Sequence, residues 1–573
     1  MNFETGVIAT KPPPQSGAAR LYLTPDYGWN RHEEGDLCLW FKGHVHGTGS
    51  GDPVTALAQK MTAMPPSQWL AHVNALDGHF ALVAAAGGMV LAAVDRVGSV
   101  PLFYGRDDNG WAMDSQARRL ASRLGLKEAD PQAALELAMG GQTIGARTLL
   151  RGLEVLTAGE TALFGSAHSE PKRARGYVYL PRPVVSALDD GTWREESRRL
   201  ADVTMGLFEK MVAGLDGRPV LVPLSAGLDS RLVVCALKEL GYGEVKCFSY
   251  GRRDNHEAMA ARKITDRLDL PWTFVENTSR QQRATFAGAE CRAFEAATDS
   301  LIAVPFHQDF HALWTLKENG YAPGNAVIVN GQSGDFIAGN HIPPVLFEAA
   351  SGADETTRWT RIADALIAKH FDLWQCLKTP DNLTRLRAAL RADMEDMGAV
   401  LGDPENDFAP YEMWECHNRQ SKYVMNGQRT YEWFDYEWRL PLWDRAYLDY
   451  WAAAPLCAKR QQGLYRQMLE TQNWGGVWGG EWNFPQTVVP AWMRTLRYAA
   501  KLAYAPLGRA RWHRFEKQRF DWWMDVTCNY ALVPYGRVAG DRRGHRNATS
   551  WHAEKYLADK GLAMNGFVPG KAA

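Results

Sequence analysis

Val220-Leu-Val-Pro-Leu-Ser-Ala-Gly-Leu-Asp-Ser-Arg231 is the stretch from which the rest of the chain can be read. The apolar run 220–224 has the length and composition of a buried strand. Ser225-Ala226-Gly227 is a small-residue turn, and 232–240 carries helical apolar periodicity. Strand, turn and helix start gather backbone N–H groups at the positive end of a helix dipole, which suits a phosphate. Asp229 and Ser230 fall in the first helical turn, where a carboxylate can hold Mg²⁺ against the same phosphates. The GxxxxGK[ST] spacing of a Walker loop is absent. On these residues alone, an ordinary strand–turn–helix with a good N-cap is the other reading.

Outward from this stretch the alternation continues. Residues 244–251 read as a second strand, 257–268 as an amphipathic helix and 272–275 as a third strand. That β-α-β-α-β order predicts a doubly wound parallel sheet, whose ligands bind beyond the carboxyl ends of the strands. Asp254 and Glu257 could be acid/base groups, but a solvated helix start is the preferred reading. Ala326-Val-Ile-Val-Asn-Gly-Gln-Ser-Gly-Asp335 delivers a further buried strand into a Gly/Ser turn that ends in a carboxylate. Two carboxylates on different strand ends can share one cation that also bridges phosphate oxygens. Beyond 355 the chain is helical, with amphipathic stretches at 358–371, 381–397, 444–454 and 460–470. Upstream, short β-type runs at 37–41, 79–85, 89–94 and 161–164 predict an antiparallel, sheet-rich domain. A polar linker (166–175) and a helix (193–211) connect it to the first stretch.

With 573 residues, net charge −1 and 23% charged residues, the chain has the balance of a soluble multidomain protein. Charge gives no global argument for nucleic acid. The eight cysteines show no CxxC or Cys/His spacing, so reduced thiols, a cytoplasmic location and no structural zinc are expected. No apolar h-region or 18-residue apolar run predicts a signal peptide or transmembrane segment.

Ser225-Ala-Gly-Leu-Asp-Ser230 resembles the Ser-Gly-Gly-x-Asp-Ser pyrophosphate loop of the asparagine synthetase family. Four other stretches resemble that family in the same order. Asp95-Arg-Val-Gly-Ser-Val-Pro-Leu-Phe-Tyr104 and Thr148–Glu160 are similar to segments of its glutaminase domain, with Ala158 where a proline is usual. The 326–341 stretch is similar to its second Mg²⁺-ligand loop, and Glu437-x-Arg-x-Pro-x-x-Asp444 to a segment that would join the helical half to the sheet. The resemblance implies an ATP-pyrophosphatase domain over 176–490, preceded by a degenerate glutamine-amidotransferase-like (Ntn-type) domain over 1–175. It implies an AMP-forming ligase that uses ATP and Mg²⁺ to adenylate a carboxylate for attack by an amine or ammonia. The carboxylate could be aspartate, a sugar acid, or a group in a peptide or metabolite, as in the β-lactam and lasso-peptide cyclase relatives. Homodimerisation stays open.

By the same resemblance, Leu224, Ser225, Ala226, Gly227, Asp229, Ser230, Tyr250, Asn330 and Gly331 would contact the nucleotide, and Asp229 with Asp335 would hold Mg²⁺. Four departures accompany these matches. Asn2 stands where the amidotransferases expose a nucleophilic cysteine, so glutaminase activity is not expected. Gln332 replaces a glutamate that manages protons on the amine, and an amide cannot accept a proton as a carboxylate does. His341 or Glu437 could stand in, although a loop histidine is more often polar surface. Phe336 replaces an acid. Gln462 occupies the place of a lysine that steadies the adenylate, and Lys459, one turn earlier, could serve instead or be a solvated helix-start lysine. The losses at Asn2, Gln332 and Gln462 leave a non-catalytic scaffold as the competing reading.

Residues 491–573 match nothing in the family. Between 491 and 520, Arg494, Arg497, Lys501, Arg509, Arg511, Arg514, Lys517 and Arg519 interleave with aromatics against one acid, Glu516. Such a stretch can bind nucleic acid, an anionic polymer or a membrane surface. The preferred expectation is an amphipathic helix that packs its aromatics on the domain and turns its arginines to water.

Overall fold

The computed structural model describes residues 18–47, 53–166, 169–184 and 187–567. The chain start that includes Asn2 lies outside them.

The amino-terminal part is layered helix, sheet, sheet, helix. Six strands, in spatial order Lys172–Arg175, Glu160–Phe164, Met89–Val94, Gly78–Ala86, Leu37–Val45 and Asn30–Glu34, form an antiparallel sheet. Along Gly78–Ala86 every second residue changes sides. Ala81, Val83 and Ala85 face a core shared with the second sheet, while Phe80, Leu82 and Ala84 face the helices Pro53–Thr62 and Pro66–Asn74. Both faces are therefore covered, which explains a strand without polar alternation. The second sheet runs Ala19–Leu21, Gly110–Asp114, Phe103–Asp107, Leu153–Val155, with its first pair parallel.

The second part is a five-stranded, wholly parallel sheet. Its spatial order is Trp272–Glu276, Val245–Gly251, Val220–Pro223, Val327–Val329, Glu437–Arg439. The first three strands add in one direction and the last two in the other. The reversal lies between Val220–Pro223 and Val327–Val329, and a strand-order reversal is where sheets of this kind bind ligands, in the crevice beyond the strands' carboxyl ends. Glu437–Arg439 is itself a strand, which the sequence reading took only as a segment joining helices to sheet. The helix Leu228–Glu239 is buried along Ser230–Leu237, which accounts for its unbroken apolar middle. Asp190–Ala213, capped by Asp189 accepting from the Thr192 N–H, packs on Arg445–Ala453 and Gly463–Gln472.

The C-terminal residues do not act as one unit. Trp522, Tyr530, Val538, Trp551 and Leu557 join the main helical core, whereas Met493, Trp512 and Phe520 form a small core of their own. Among the described residues no helix is long and apolar enough to cross a membrane.

Candidate active site

The loop after Val220–Pro223 is knitted by its own serines. The Ser225 N–H donates to Ser230 Oγ (3.1 Å), the two hydroxyls lie 3.0 Å apart, and the Gly227 N–H donates to Ser225 Oγ (3.1 Å). Arg231 ties the turn down by donating to the Ala226 carbonyl (2.8 Å) and to the carbonyls of Val477 and Trp482. Ala226 is not among the residues with positive φ. A methyl group at this position therefore adds no backbone strain. The Ala226 N–H donates to Glu257 Oε2 at 2.6 Å. The expectation that Glu257 is merely solvated is thus corrected: it reaches from the first turn of the helix His256–Leu268 into the loop.

The turn after Val327–Val329 presses directly on this loop. A Cβ at Gly331 would lie 2.6 Å from the Asp229 carbonyl carbon, and one at Gly334 2.7 Å from Asp229 Oδ1. Only glycine permits that approach. As a result the Asp335 N–H donates to Asp229 Oδ2 (2.8 Å), while Tyr465 Oη donates to Asp229 Oδ1 (3.0 Å). Burial, and then the neighbouring Asp335 charge, lift the Asp229 carboxyl to about 7. Asp335 is 44% exposed. Its burial acts in the same sense, but the hydrogen bond and charge of His341 prevail and hold it below the ordinary value. His341 Nε2 lies 3.2 Å from Asp335 Oδ2, and its Nδ1 bonds Glu415. Although burial opposes it, this carboxylate pair raises His341 to about 9. The loop histidine is therefore part of a buried charge network and not polar surface. Lys369 completes the network, donating to the His341 carbonyl at 2.7 Å.

A second polar chain runs beneath the crevice. Tyr250 Oη donates to Asp309, Tyr431 Oη to the other oxygen of Asp309 (2.6 Å), and the Asn330 amide to Tyr431 Oη (2.8 Å). Asn330 Oδ1 in turn accepts the Gln332 N–H (2.9 Å), and the Gln332 amide lies against Met425 Sδ at 3.7 Å. The backbone of Leu224 is occupied within the sheet: its N–H donates to the Phe248 carbonyl and its carbonyl accepts from Ser249 Oγ. Phe336 packs between Tyr179 and Trp443, so an apolar wall stands where the family has an acid.

Lys459 is neither solvated nor open to the crevice. Its ammonium is fully buried, 2.6 Å from Glu412 and 3.1 Å from Tyr179 Oη, among the rings of Tyr179, Phe408 and Trp451. Gln462 is buried with φ +58° and an unpartnered amide nitrogen. Glu437 pairs with Arg218 (2.6 Å) and Arg439 (3.2 Å) at the amino end of its strand. That is the wrong end of the sheet for a base, which removes it as a stand-in. A cavity of about 1140 Å³ also opens at that end, lined by His44, His46, Lys210 and Arg439, and is separate from the crevice. Cys291, Glu295 and His307 form another group with metal-ligand chemistry. There the charge is already matched, with His307 2.8 Å and Lys555 3.9 Å from Glu295.

Sequence reasoning set Glu257 aside as a solvated helix start and missed Tyr465, Glu415 and Lys369. The last two come from helices with no local motif, and only the fold brings them to the crevice. Tyr465 carried a usable signal, being one turn beyond Gln462.

Comparison with known proteins adds the following. Residues 208–471 match the family model of asparagine synthase. The chain is 32% identical over 99 residues to the 7-cyano-7-deazaguanine synthase of Polynucleobacter asymbioticus (strain DSM 18221 / CIP 109841 / QLW-P1DMWA-1), a match covering 17% of this chain. It spans 37% of the length of that curated relative. Two solved structures overlap it broadly at low similarity. One is an allosteric regulatory enzyme of purine biosynthesis (11% identity, 65% of this chain, 74% of the other, TM-score 0.18). The second is the glutamine phosphoribosylpyrophosphate amidotransferase of B. subtilis with ADP and GMP (10%, 66%, 76%, TM-score 0.18). Both carboxylates, both glycine-bearing loops and the histidine network lie inside residues 208–471, the part of the chain that matches the asparagine synthase family model.

Proposed function

We propose that the chain is an ATP-dependent, AMP-forming amide ligase. The observation that carries this reading is the meeting of Asp229 and Asp335 at the strand-order reversal, beside a phosphate-sized loop. Burial first, and then the Asp335 charge, raise the Asp229 carboxyl, and a divalent cation held by both carboxylates would offset the second cause. Asp229 and Asp335 would hold Mg²⁺, which when bound supplies positive charge against that of a departing pyrophosphate. The loop 225–230 would take the phosphates at the start of Leu228–Glu239, with Glu257 moved off the Ala226 N–H. Leu224, Tyr250, Asn330 and Gly331 would line the nucleoside. Gln332 would orient the acceptor amine without taking its proton, so the amine arrives uncharged or is held next to its own carboxylate. Aspartate, a sugar acid and a peptide or metabolite carboxylate all fit that chemistry. Glutamine hydrolysis is not part of the proposal, and a cytoplasmic location goes with it.

A scaffold reading has one observation in its favour: Glu257 occupies a donor that a phosphate would need. Pyrophosphate release separates the two readings. With Mg²⁺, ATP and a panel of carboxylates, the wild-type chain should form AMP and pyrophosphate, and Asp335→Asn should abolish both. An active Asp335→Asn would refute the site. Inertness of the wild type toward every carboxylate would favour the scaffold.

A further inference from the structure

The helix Trp492–Tyr504 buries only Met493. Trp492, Leu496, Tyr498 and Leu502 are 52%, 53%, 66% and 58% exposed. Residues 492/496 and 498/502 are each four apart, so they form adjoining rows on the outer side of the helix. Arg494, Arg497 and Lys501 follow at three- and four-residue spacing beside them. The inner side is fixed by a small core in which Met493, Trp512 and Phe520 meet Val488, Tyr504 and Phe515. That core is too small to cover the outer rows. Trp512, Phe515 and Phe520 thus pack in this small core of the segment itself, Trp492 stands edge-on to Trp523 at 5.9 Å while half-exposed, and the expectation that the stretch packs its aromatics on the domain fails for Tyr498.

We propose that Trp492–Tyr504 and the following helix Arg509–Arg519 form a docking surface for an anionic lipid membrane. Thirteen residues span about 20 Å as a helix, short of a ~30 Å hydrocarbon core, so the element lies in the interface plane. The occupant has to offer both apolar depth and diffuse negative charge. Leu496, Leu502 and the exposed Leu507 need the first, and they gain nothing from a phosphodiester backbone. The second is required by eight Lys/Arg residues against Glu516 between 491 and 520, in a chain whose net charge is −1. Along the 498/502 row a groove of about 480 Å³ is lined by apolar Val488, Tyr498, Leu502 and Ala505 together with Arg494, Arg497 and Lys501. An apolar lining shared with cationic groups matches an acyl chain below a phosphate headgroup. The chain that follows these two helices is tied to the parallel sheet. Arg252, just past the strand Val245–Gly251, donates through its N–H to the Val526 carbonyl (2.9 Å) and through Nε to the Asp525 carbonyl (2.8 Å). Membrane docking itself does not depend on the ligase reading.

The test is flotation of the full chain with vesicles of phosphatidylcholine alone or mixed with phosphatidylglycerol. Binding should require phosphatidylglycerol and weaken with salt. Arg494→Gln with Lys501→Gln should lower partitioning about 25-fold, at about fivefold per charge. Leu496→Ser with Leu502→Ser should lower it by more than tenfold while circular dichroism stays unchanged. No binding to phosphatidylglycerol vesicles at low salt would overturn the proposal, as would binding that both variants leave intact. A single-stranded oligonucleotide bound more tightly than the vesicles would overturn it in favour of nucleic acid. Self-association abolished by the leucine variant, without vesicle binding, would overturn it in favour of a second copy.

Discussion

Replacing Glu257 with alanine should tighten ATP binding, although the residue touches the loop that would hold the phosphates. Its Oε2 accepts the Ala226 N–H at 2.6 Å, a charge-assisted bond of about 1.5–3 kcal/mol when shielded from water. The side chain is 37% exposed, which reduces that to about 1 kcal/mol. A phosphate that takes this N–H must first break the bond, and a carboxylate left close by repels the phosphate. Removing Glu257 abolishes both costs, and 1 kcal/mol corresponds to about a fivefold lower Kd. Glu257→Gln, which keeps a weaker acceptor, should fall between wild type and Glu257→Ala. Isothermal titration with ATP and Mg²⁺ reads the difference, and added salt should shrink it. A Kd that rises in Glu257→Ala would refute the reasoning and make Glu257 the anchor that shapes the loop.

Without nucleotide or divalent metal, Asp229→Asn should melt above wild type at about pH 8 and level with it only at about pH 4 and below. The folded carboxyl, lifted to about 7, keeps a proton that the unfolded chain releases. That stabilisation is present at low pH and lost as pH rises through about 7. Thermal melts at the two pH values check it, and a gap larger at low pH would reverse the sign. Lys459→Met should cost about 3–5 kcal/mol by leaving Glu412 charged and alone in the core, and Glu412→Leu in the same chain should recover most of it in urea titrations. A double variant that is stable yet releases no pyrophosphate would assign Lys459 a part in the chemistry. Gln332→Glu should raise ammonia-dependent amide formation at least ~10-fold, since a carboxylate can take the amine's proton. Product mass across pH reads this, and an unchanged rate with ammonia as the acceptor would mean that position 332 handles no proton.

Local chemistry was enough to read the carboxyl-end loops. Ser225-Ala226-Gly227 and Gly331–Gly334 each mark a strand end, because small residues are needed where backbone meets backbone, although an ordinary turn reads the same way locally. The same strands, read in order, give a parallel sheet, and period-2 runs give the sheets before it. Which strands become neighbours is not local. Only the fold sets Val220–Pro223 beside Val327–Val329, and only that adjacency makes one site of Asp229 and Asp335. The fold also converts a loop histidine into a bridge, because Glu415 arrives from a helix 74 residues away. Lys459 shows the reverse: its helical spacing pointed toward the crevice, yet Glu412 offers its ammonium a buried carboxylate, and a desolvated charge goes to its counter-charge. The sequence by itself determined the composition of the 491–520 surface. That Leu496, Tyr498 and Leu502 face outward was decided by packing, since Met493, Trp512 and Phe520 fill the small core on the inner side of this segment.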